Sequence, residues 1–426
     1  MRTLILATLM VGTMMTDSLF AQTRIDGLRP DAPELAVPGA FAVGIRALSL
    51  TDPDRVDVIN SVESLTRAPR TLVAEMWYPA ASGTAPGGSY ETVLRDGITP
   101  ILLAGQAARD AQPSTEGPFP LVIISHGYPG NRFLMAHLAE NIASKGYVVV
   151  ALDHTDSTYS DQALFGSTLY NRPLDQAFAL DAMAADTTLA GLVDTSRTGL
   201  IGYSMGGYGA LIFAGAGVSE GSLALPFAPP QNLLAEHRAG SPTHEALMDP
   251  RLAAVVAIGP WGMNAGFWDA EGLAGLRVPM MMIAGSMDMT SIYPAMRQVF
   301  DGATGAERHL LTFVNAGHNA AAPIPAPAES WAMSERLGWA PFGHYADPVW
   351  DTLRMNNIAQ HFVTAFLDLR LKGLDERAPY LTLVEDANDG IWSVEDGQRT
   401  ATHTYWEGFE QGSAVGLRFE TRAQGE

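Results

Sequence analysis

The short apolar run Thr198-Gly199-Leu200-Ile201 leads straight into Gly202-Tyr203-Ser204-Met205-Gly206, after which Gly207-Tyr208-Gly209-Ala210-Leu211-Ile212-Phe213 reads as the start of a helix. A strand that becomes a helix across so few residues limits the chain more than any other feature. The backbone on either side of the serine must pass closely, and only small residues permit that. Gly-x-Ser-x-Gly in this setting is the pattern of a serine on a strained strand-to-helix elbow, its hydroxyl standing above the carboxyl edge of a parallel sheet and beside a helix N-terminus. With 42 glycines in the chain the five-residue pattern alone is weak, but its flanking strand and helix make Ser204 a candidate nucleophile.

The rest of the chain supplies such a sheet. Phe41–Leu50 alternates at period two, Thr71–Tyr78 reads as a second strand, and Thr51-Asp52-Pro53-Asp54 reads as the turn between them. Residues 22–37 read as a polar arm, and residues 80–118 mostly as loop with a short helix near Ile101. Leu121-Val122-Ile123-Ile124 and Tyr147–Leu152 are continuously apolar, as strands covered on both faces are. Between them Leu134, Leu138 and Ile142 recur at helical spacing, and Gly146 stops that helix. Pro173–Ala185 reads as a helix with proline in its first turn. Ala253–Ile258, Val278–Ala284 and His309–Val314 read as three more strands. A helix from Val349 to Lys372 carries Met355, Ile358, Phe362, Phe366 and Leu369 on one face and ends at Gly373. Strands alternating with helices imply an α/β fold, a mostly parallel doubly wound sheet with helices on both faces. Such sheets hold their ligands at the carboxyl ends of the strands. Residues 22–426 are expected to form a single domain, with covering insertions at 216–250 and 320–347 and a C-terminal extension at 374–426.

Composition removes several function classes. There are no cysteines, so disulfides, thiolate catalysis, cysteine-based zinc sites and lipoprotein anchoring are excluded. Asp and Glu number 46 against 26 Lys and Arg, a net charge of −20, which repels nucleic-acid phosphates and anionic lipid. Met1-Arg2 precedes the apolar run Thr3–Gly12, too short to span a bilayer, and Leu19-Phe20-Ala21 offers a small-residue cleavage site. Residues 1–21 therefore read as a signal peptide, and the mature chain as secreted or periplasmic with no membrane anchor.

Acyl transfer by a serine needs a base to take its proton and an acid to orient that base. Asp288 and His318 follow buried strands at similar distances, in the chain order Ser204, Asp288, His318. His154, Asp153 and Asp156 sit at the correct edge but precede the serine, and read as loop-positioning residues. His126 reads as structural, His344 as a residue able to line the pocket, and His137 and His361 as helix packing or surface residues. The oxyanion requires two fixed donors. The backbone N–H groups of Met205 and Tyr128 are the candidates, with the Tyr128 ring and Trp261 as walls of a substrate site; core packing is the other reading of Trp261. The histidines and carboxylates have no metal-ligand spacing, so neither a metal nor a cofactor is expected.

At "SHGYPGNR", "GYSMGGYGAL", "PWG", "AGSMD" and "AGH" the chain resembles secreted α/β-hydrolases of the dienelactone-hydrolase-like and platelet-activating-factor-acetylhydrolase-like esterase group. Over Tyr147–Asp288 it also resembles bacterial cutinases and polyester hydrolases. The resemblance implies an α/β-hydrolase fold with Ser204, Asp288 and His318 as triad. It further implies Tyr128 and Met205 as oxyanion hole and Trp261 against substrate. It also sharpens two departures. Cutinases have open clefts, whereas this chain carries two covering segments, and the disulfide common near their histidine cannot form here. The tail, with Tyr405-Trp406-Glu407-Gly408-Phe409 and strand-like Val415–Phe419, resembles those of larger dienelactone-hydrolase-like esterases. The expectation is a serine carboxylesterase acting on a small or polymeric ester. A polyester hydrolase, a serine peptidase or amidase, and a non-catalytic binding protein of the same fold are the alternatives.

Overall fold

The computed structural model describes residues 23–426; the expected signal segment, residues 1–21, lies outside the described residues. Its centre is a ten-stranded sheet. Six neighbouring strands run parallel, in the spatial order Arg308–Phe313, Met280–Gly285, Leu252–Ile258, Val193–Tyr203, Phe119–Ser125, Val148–Asp153. Arg67–Pro79 and then Val43–Val56 continue the sheet antiparallel beyond Val148–Asp153, and Leu417–Arg422 closes the other side antiparallel to Arg308–Phe313. Alternate residues of each central strand enter different cores. Val122, Ile124, Ile201, Val256 and Ile283 face the core shared with helices Ala136–Ala143 and Thr352–Leu367. Leu121, Ile123, Leu200, Val255 and Met282 face the core shared with helices Phe165–Ala185, Met205–Phe213 and Tyr293–Gly302. Both faces being covered explains why the strands read as unbroken apolar runs.

Three local expectations are corrected. Thr51-Asp52-Pro53-Asp54 is not a turn; the strand runs on to Val56, and a register shift between Asp52 and Arg55 absorbs the proline-containing stretch. The region 80–118 holds no helix at Ile101: Gly88–Val93 and Pro100–Gly105 pair antiparallel, and Thr23–Arg24 of the arm adds in parallel. The expected helix Pro173–Ala185 begins earlier, at Phe165, so Pro173 lies inside it rather than in its first turn. Proline donates no N–H to the carbonyl four residues back. Here the Tyr208 hydroxyl donates to the Leu169 carbonyl at 3.3 Å, so that acceptor is not left bare.

The strand expected at Val415–Phe419 runs as Leu417–Arg422. Leu417–Arg422 pairs along the whole of Arg308–Phe313, Phe419 stacks on Phe362 with centroids 5.0 Å apart, and buried Trp406 donates its indole N–H to the Val384 carbonyl at 2.8 Å. Among the described residues no helix is long and apolar enough to cross a membrane.

A buried charge cluster ties the antiparallel strands to the helix Phe165–Ala185. Asp175 accepts from Arg70 Nε at 2.8 Å and Nη2 at 2.9 Å, from Arg55 Nη1 at 3.2 Å, and from His154 Nδ1 at 3.1 Å. Burial alone would raise the Asp175 carboxyl's pKa, but the Arg70 charge and these hydrogen bonds outweigh it and hold it far below the usual carboxylate range. A depressed folded pKa gives stability that is fully present above the unfolded value of about 3.9 and is lost as pH falls toward the folded one. Asp175→Asn leaves buried arginine charge short of a partner and is expected to cost about 3–5 kcal/mol at neutral pH. Urea unfolding measured between neutral pH and pH of about 3 checks both effects: the variant starts less stable and loses less on acidification than the wild type.

Candidate active site

The elbow is a matter of clearance. Ser204 has φ +52° and ψ −111°, a conformation side-chain-bearing residues rarely adopt. Its N–H donates to the Ile258 carbonyl at 2.8 Å, and its carbonyl accepts from Tyr208 N–H at 3.0 Å and Trp261 N–H at 3.1 Å, so three backbone bonds hold the strained residue. A Cβ on Gly202 would stand 2.2 Å from the Gly206 carbonyl oxygen, and one on Gly206 would stand 2.0 Å from that of Ser125. No larger residue fits either place, which is the physical content of the motif.

Asp288 and His318 lie beyond the next strands of the sheet. His318 Nδ1 is 2.7 Å from Asp288 Oδ2, and Asp288 Oδ1 accepts the N–H groups of Thr290 at 2.7 Å and Ser291 at 2.9 Å. Burial works to raise the Asp288 pKa, but His318 and these two N–H groups overcome it and hold the carboxyl below its usual range. An ionised Asp288 accepting from Nδ1–H leaves Nε2 of the ring as the basic nitrogen. The His318 ring lies against Tyr203, centroids 5.2 Å apart, so the residue just before the serine also seats the histidine.

Ser204 and His318 line one cleft of about 560 Å³, together with Tyr128, Tyr203, Asn319, Trp339 and Arg95. Ser204 is 8% exposed. The segment 320–347 lines this cleft with Trp339, Gly343, His344, Ala346 and Asp347. His344 is thus where the sequence places it; its Nε2 lies 2.8 Å from the Tyr159 hydroxyl. The other covering segment, 216–250, contributes nothing to the cleft lining. It sends Phe227 into an aromatic group with Phe165, Trp261 and Phe267. Trp261 packs there, half-buried. Phe165 packs against both rings, 5.6 Å from that of Trp261 and 5.1 Å from that of Tyr128, and of the two expected walls only Tyr128 lines the cleft. A second cavity, of about 380 Å³, lies between the N-terminal arm and the helix Ala136–Ala143, away from Ser204.

The loop after Phe119–Ser125 carries Tyr128 past the serine, and a sealed polar network holds it. Arg172 donates to the His126 carbonyl and to Ser157 Oγ. His154 Nε2 is 2.8 Å from Ser125 Oγ, and its Nδ1 faces Asp175. Burial first, then the Arg172 charge, pushes His154 down to about 3, so the ring is neutral and bonds without carrying charge. Ser125, His154 and Asp175 therefore repeat the residue types of a nucleophilic set, but Ser125 is wholly buried and can meet no substrate. His126 Nδ1 is 2.7 Å from the Gly127 carbonyl and its Nε2 accepts from the His154 N–H, which makes it structural. His137 and His361 are both buried in helices. Met205 is the first residue of its helix, so its N–H has no intrahelical acceptor, and among the described residues the Tyr128 N–H has no backbone acceptor.

Sequence reasoning missed Arg95, Asn319 and Trp339. Arg95 follows a strand hidden in the loop-like region, and Trp339 sits in a segment without period. Asn319 alone had a signal, its place beside His318. Its amide donates to the Gly343 and Ala346 carbonyls, each at 2.8 Å, and its Oδ1 accepts from the Tyr203 hydroxyl at 3.2 Å.

A family model described as PET hydrolase-like matches residues 111–243, a span that includes Tyr128, Ser204 and Met205 but ends before Asp288. Cutinase est1 of Thermobifida alba is 27% identical over 176 residues, covering 41% of this chain and 45% of the relative. Cutinase 2 of Thermobifida cellulosilytica is 29% identical over 178 residues, 41% of this chain and 50% of the relative. A bis(hydroxyethyl) terephthalate hydrolase of Streptomyces coelicolor is 32% identical over 98 residues, 23% and 29% of the two chains. The chain spans about half the length, or less, of the curated relatives it matches. In three dimensions it superposes on a ferulic acid esterase from Streptomyces cinnamoneus with a TM-score of 0.56 at 21% identity, over 80% of this chain and 94% of the other. The fold is that of the α/β-hydrolases, and over its central portion the sequence is similar to cutinases and polyester hydrolases.

Proposed function

We propose that this protein is a secreted serine carboxylesterase. The observation that carries the reading is the cleft itself, where a serine on a strained elbow and a histidine oriented by a buried carboxylate open onto one space. Ser204 Oγ gives its proton to His318 Nε2 and bonds to the ester carbonyl carbon. The carbonyl oxygen, now negative, is held by the N–H groups of Met205 and Tyr128. The intermediate collapses, the C–O bond to the alcohol breaks, and His318 returns the proton to the departing alkoxide. Water then attacks the acyl-serine with His318 again as base, releasing the acid and restoring Ser204. The 320–347 segment favours small esters over a polymer chain; soluble products released from a polyester film would support the polymer alternative instead.

Ser204→Ala is expected to lower kcat on p-nitrophenyl esters by about 10⁴-fold or more, and Asp288→Asn by about 10²–10⁴-fold, because the histidine tautomer is then no longer fixed. Rates equal to wild type in Ser204→Ala would remove the esterase reading, and faster cleavage of peptide amides than of esters would favour the amidase.

A further inference from the structure

The cleft around Ser204 contains a guanidinium, that of Arg95, which the hydrolytic chemistry does not use. Arg95 lies in the turn between Gly88–Val93 and Pro100–Gly105. That turn is stiff. Asp96 Oδ1 accepts from the N–H groups of Ile98 and Thr99, the Leu94 N–H donates to the Thr99 carbonyl, and the Arg95 N–H donates to the Tyr345 hydroxyl at 2.9 Å. Arg70 and Arg132 have the acidic partners Asp175 and Asp153, and buried Arg172, without an ion pair, donates to the His126 carbonyl and Ser157 Oγ. Among the described residues Arg95 has none; its polar surroundings are the phenols of Tyr128, Tyr159 and Tyr345. Partial burial already lowers its pKa, and its charge in turn acts on His344 in the lining of the same cleft. Asp96, its neighbour in sequence, is engaged by Thr99 and Ser334, and two acids of the site are committed elsewhere. Asp288 is bonded to His318, while Asp347 accepts the N–H groups of Gly317, Val349 and Trp350. A half-buried guanidinium with no counter-charge costs folding energy, and among the described residues that of Arg95 has no hydrogen-bond acceptor to offset it, unlike buried Arg172 and Arg308.

We propose that Arg95 recognises a carboxylate on the acyl half of the substrate, so that the preferred substrates are monoesters of dicarboxylic acids. The guanidinium fork takes the free carboxylate in bidentate fashion while the ester carbonyl sits over Ser204. The rings of Tyr128 and Trp339 offer apolar walls for the carbon chain or ring between the two ends. The inference rests on the esterase reading and adds a substrate class to it.

The test compares kcat/KM for mono(4-methylumbelliferyl) adipate with that for the uncharged 4-methylumbelliferyl hexanoate, in wild type, Arg95→Gln and Arg95→Lys. The wild type is expected to favour the adipate ester. The charged-to-neutral ratio should drop about 10–100-fold in Arg95→Gln and recover in part in Arg95→Lys, which keeps the charge but not the fork. Added salt should shrink the wild-type ratio. Because a poorly folded variant lowers both rates, a second measurement uses the wild type alone: adipate should inhibit hexanoate-ester hydrolysis competitively, and hexanediol should not. A ratio unmoved by Arg95→Gln, or equal inhibition by adipate and hexanediol, overturns the carboxylate assignment and leaves the esterase standing. Failure of the wild type to hydrolyse either ester overturns both.

Discussion

The contact between the Ser125 carbonyl and the first turn of the helix after Ser204 is the constraint on which the site depends. The end of one strand and the start of the neighbouring strand's helix touch at a distance that excludes even a methyl group on Gly206. In the proposed mechanism the two oxyanion donors, the N–H groups of Tyr128 and Met205, are both backbone groups, so no side chain has to move when charge develops.

Beneath that contact lies a second layer whose role is to prevent relaxation. The Arg172 guanidinium grips the His126 carbonyl, and the neutral His154 bridges Ser125 to Asp175. Asp175 in turn neutralises Arg70 and Arg55 from the antiparallel part of the sheet. Most polar groups behind the Tyr128 loop thus find partners in one another, while Arg172 Nε and Gln176 Oε1 stay buried without one. The residue types proposed for catalysis at Ser204, Asp288 and His318 recur here with a serine that reaches no cleft, and so serve as a support.

The sequence is most informative where geometry permits only one residue type. Gly202 and Gly206 announce the elbow because nothing else fits, and the unbroken apolar runs announce strands covered on both faces. The positions of Asp288 and His318 follow from the strands that precede them. Legibility fails where tertiary pairing overrides local pattern. The hairpin of Gly88–Val93 and Pro100–Gly105 is rich in loop residues and is made a strand pair by its partners, and Pro173 sits inside a helix because a tyrosine from a neighbouring helix serves the freed carbonyl. Arg95 and Trp339 reach the cleft from segments distant in sequence and without periodicity, so no spacing could have joined them to Ser204. The role of Trp261 stayed open for a related reason: an apolar ring reads alike in a wall and in a core, and here it packs against the core with Phe165, Phe227 and Phe267.

The 320–347 segment is fastened to the loop that bears His318. Asn319 donates to two carbonyls of the segment, and Asp347 of the segment accepts the N–H of Gly317. Residues on both sides of the histidine are therefore laced to it. Movement of that segment would therefore strain the loop that seats the imidazole, and in the proposed esterase a change that loosens the one is expected to disturb the other.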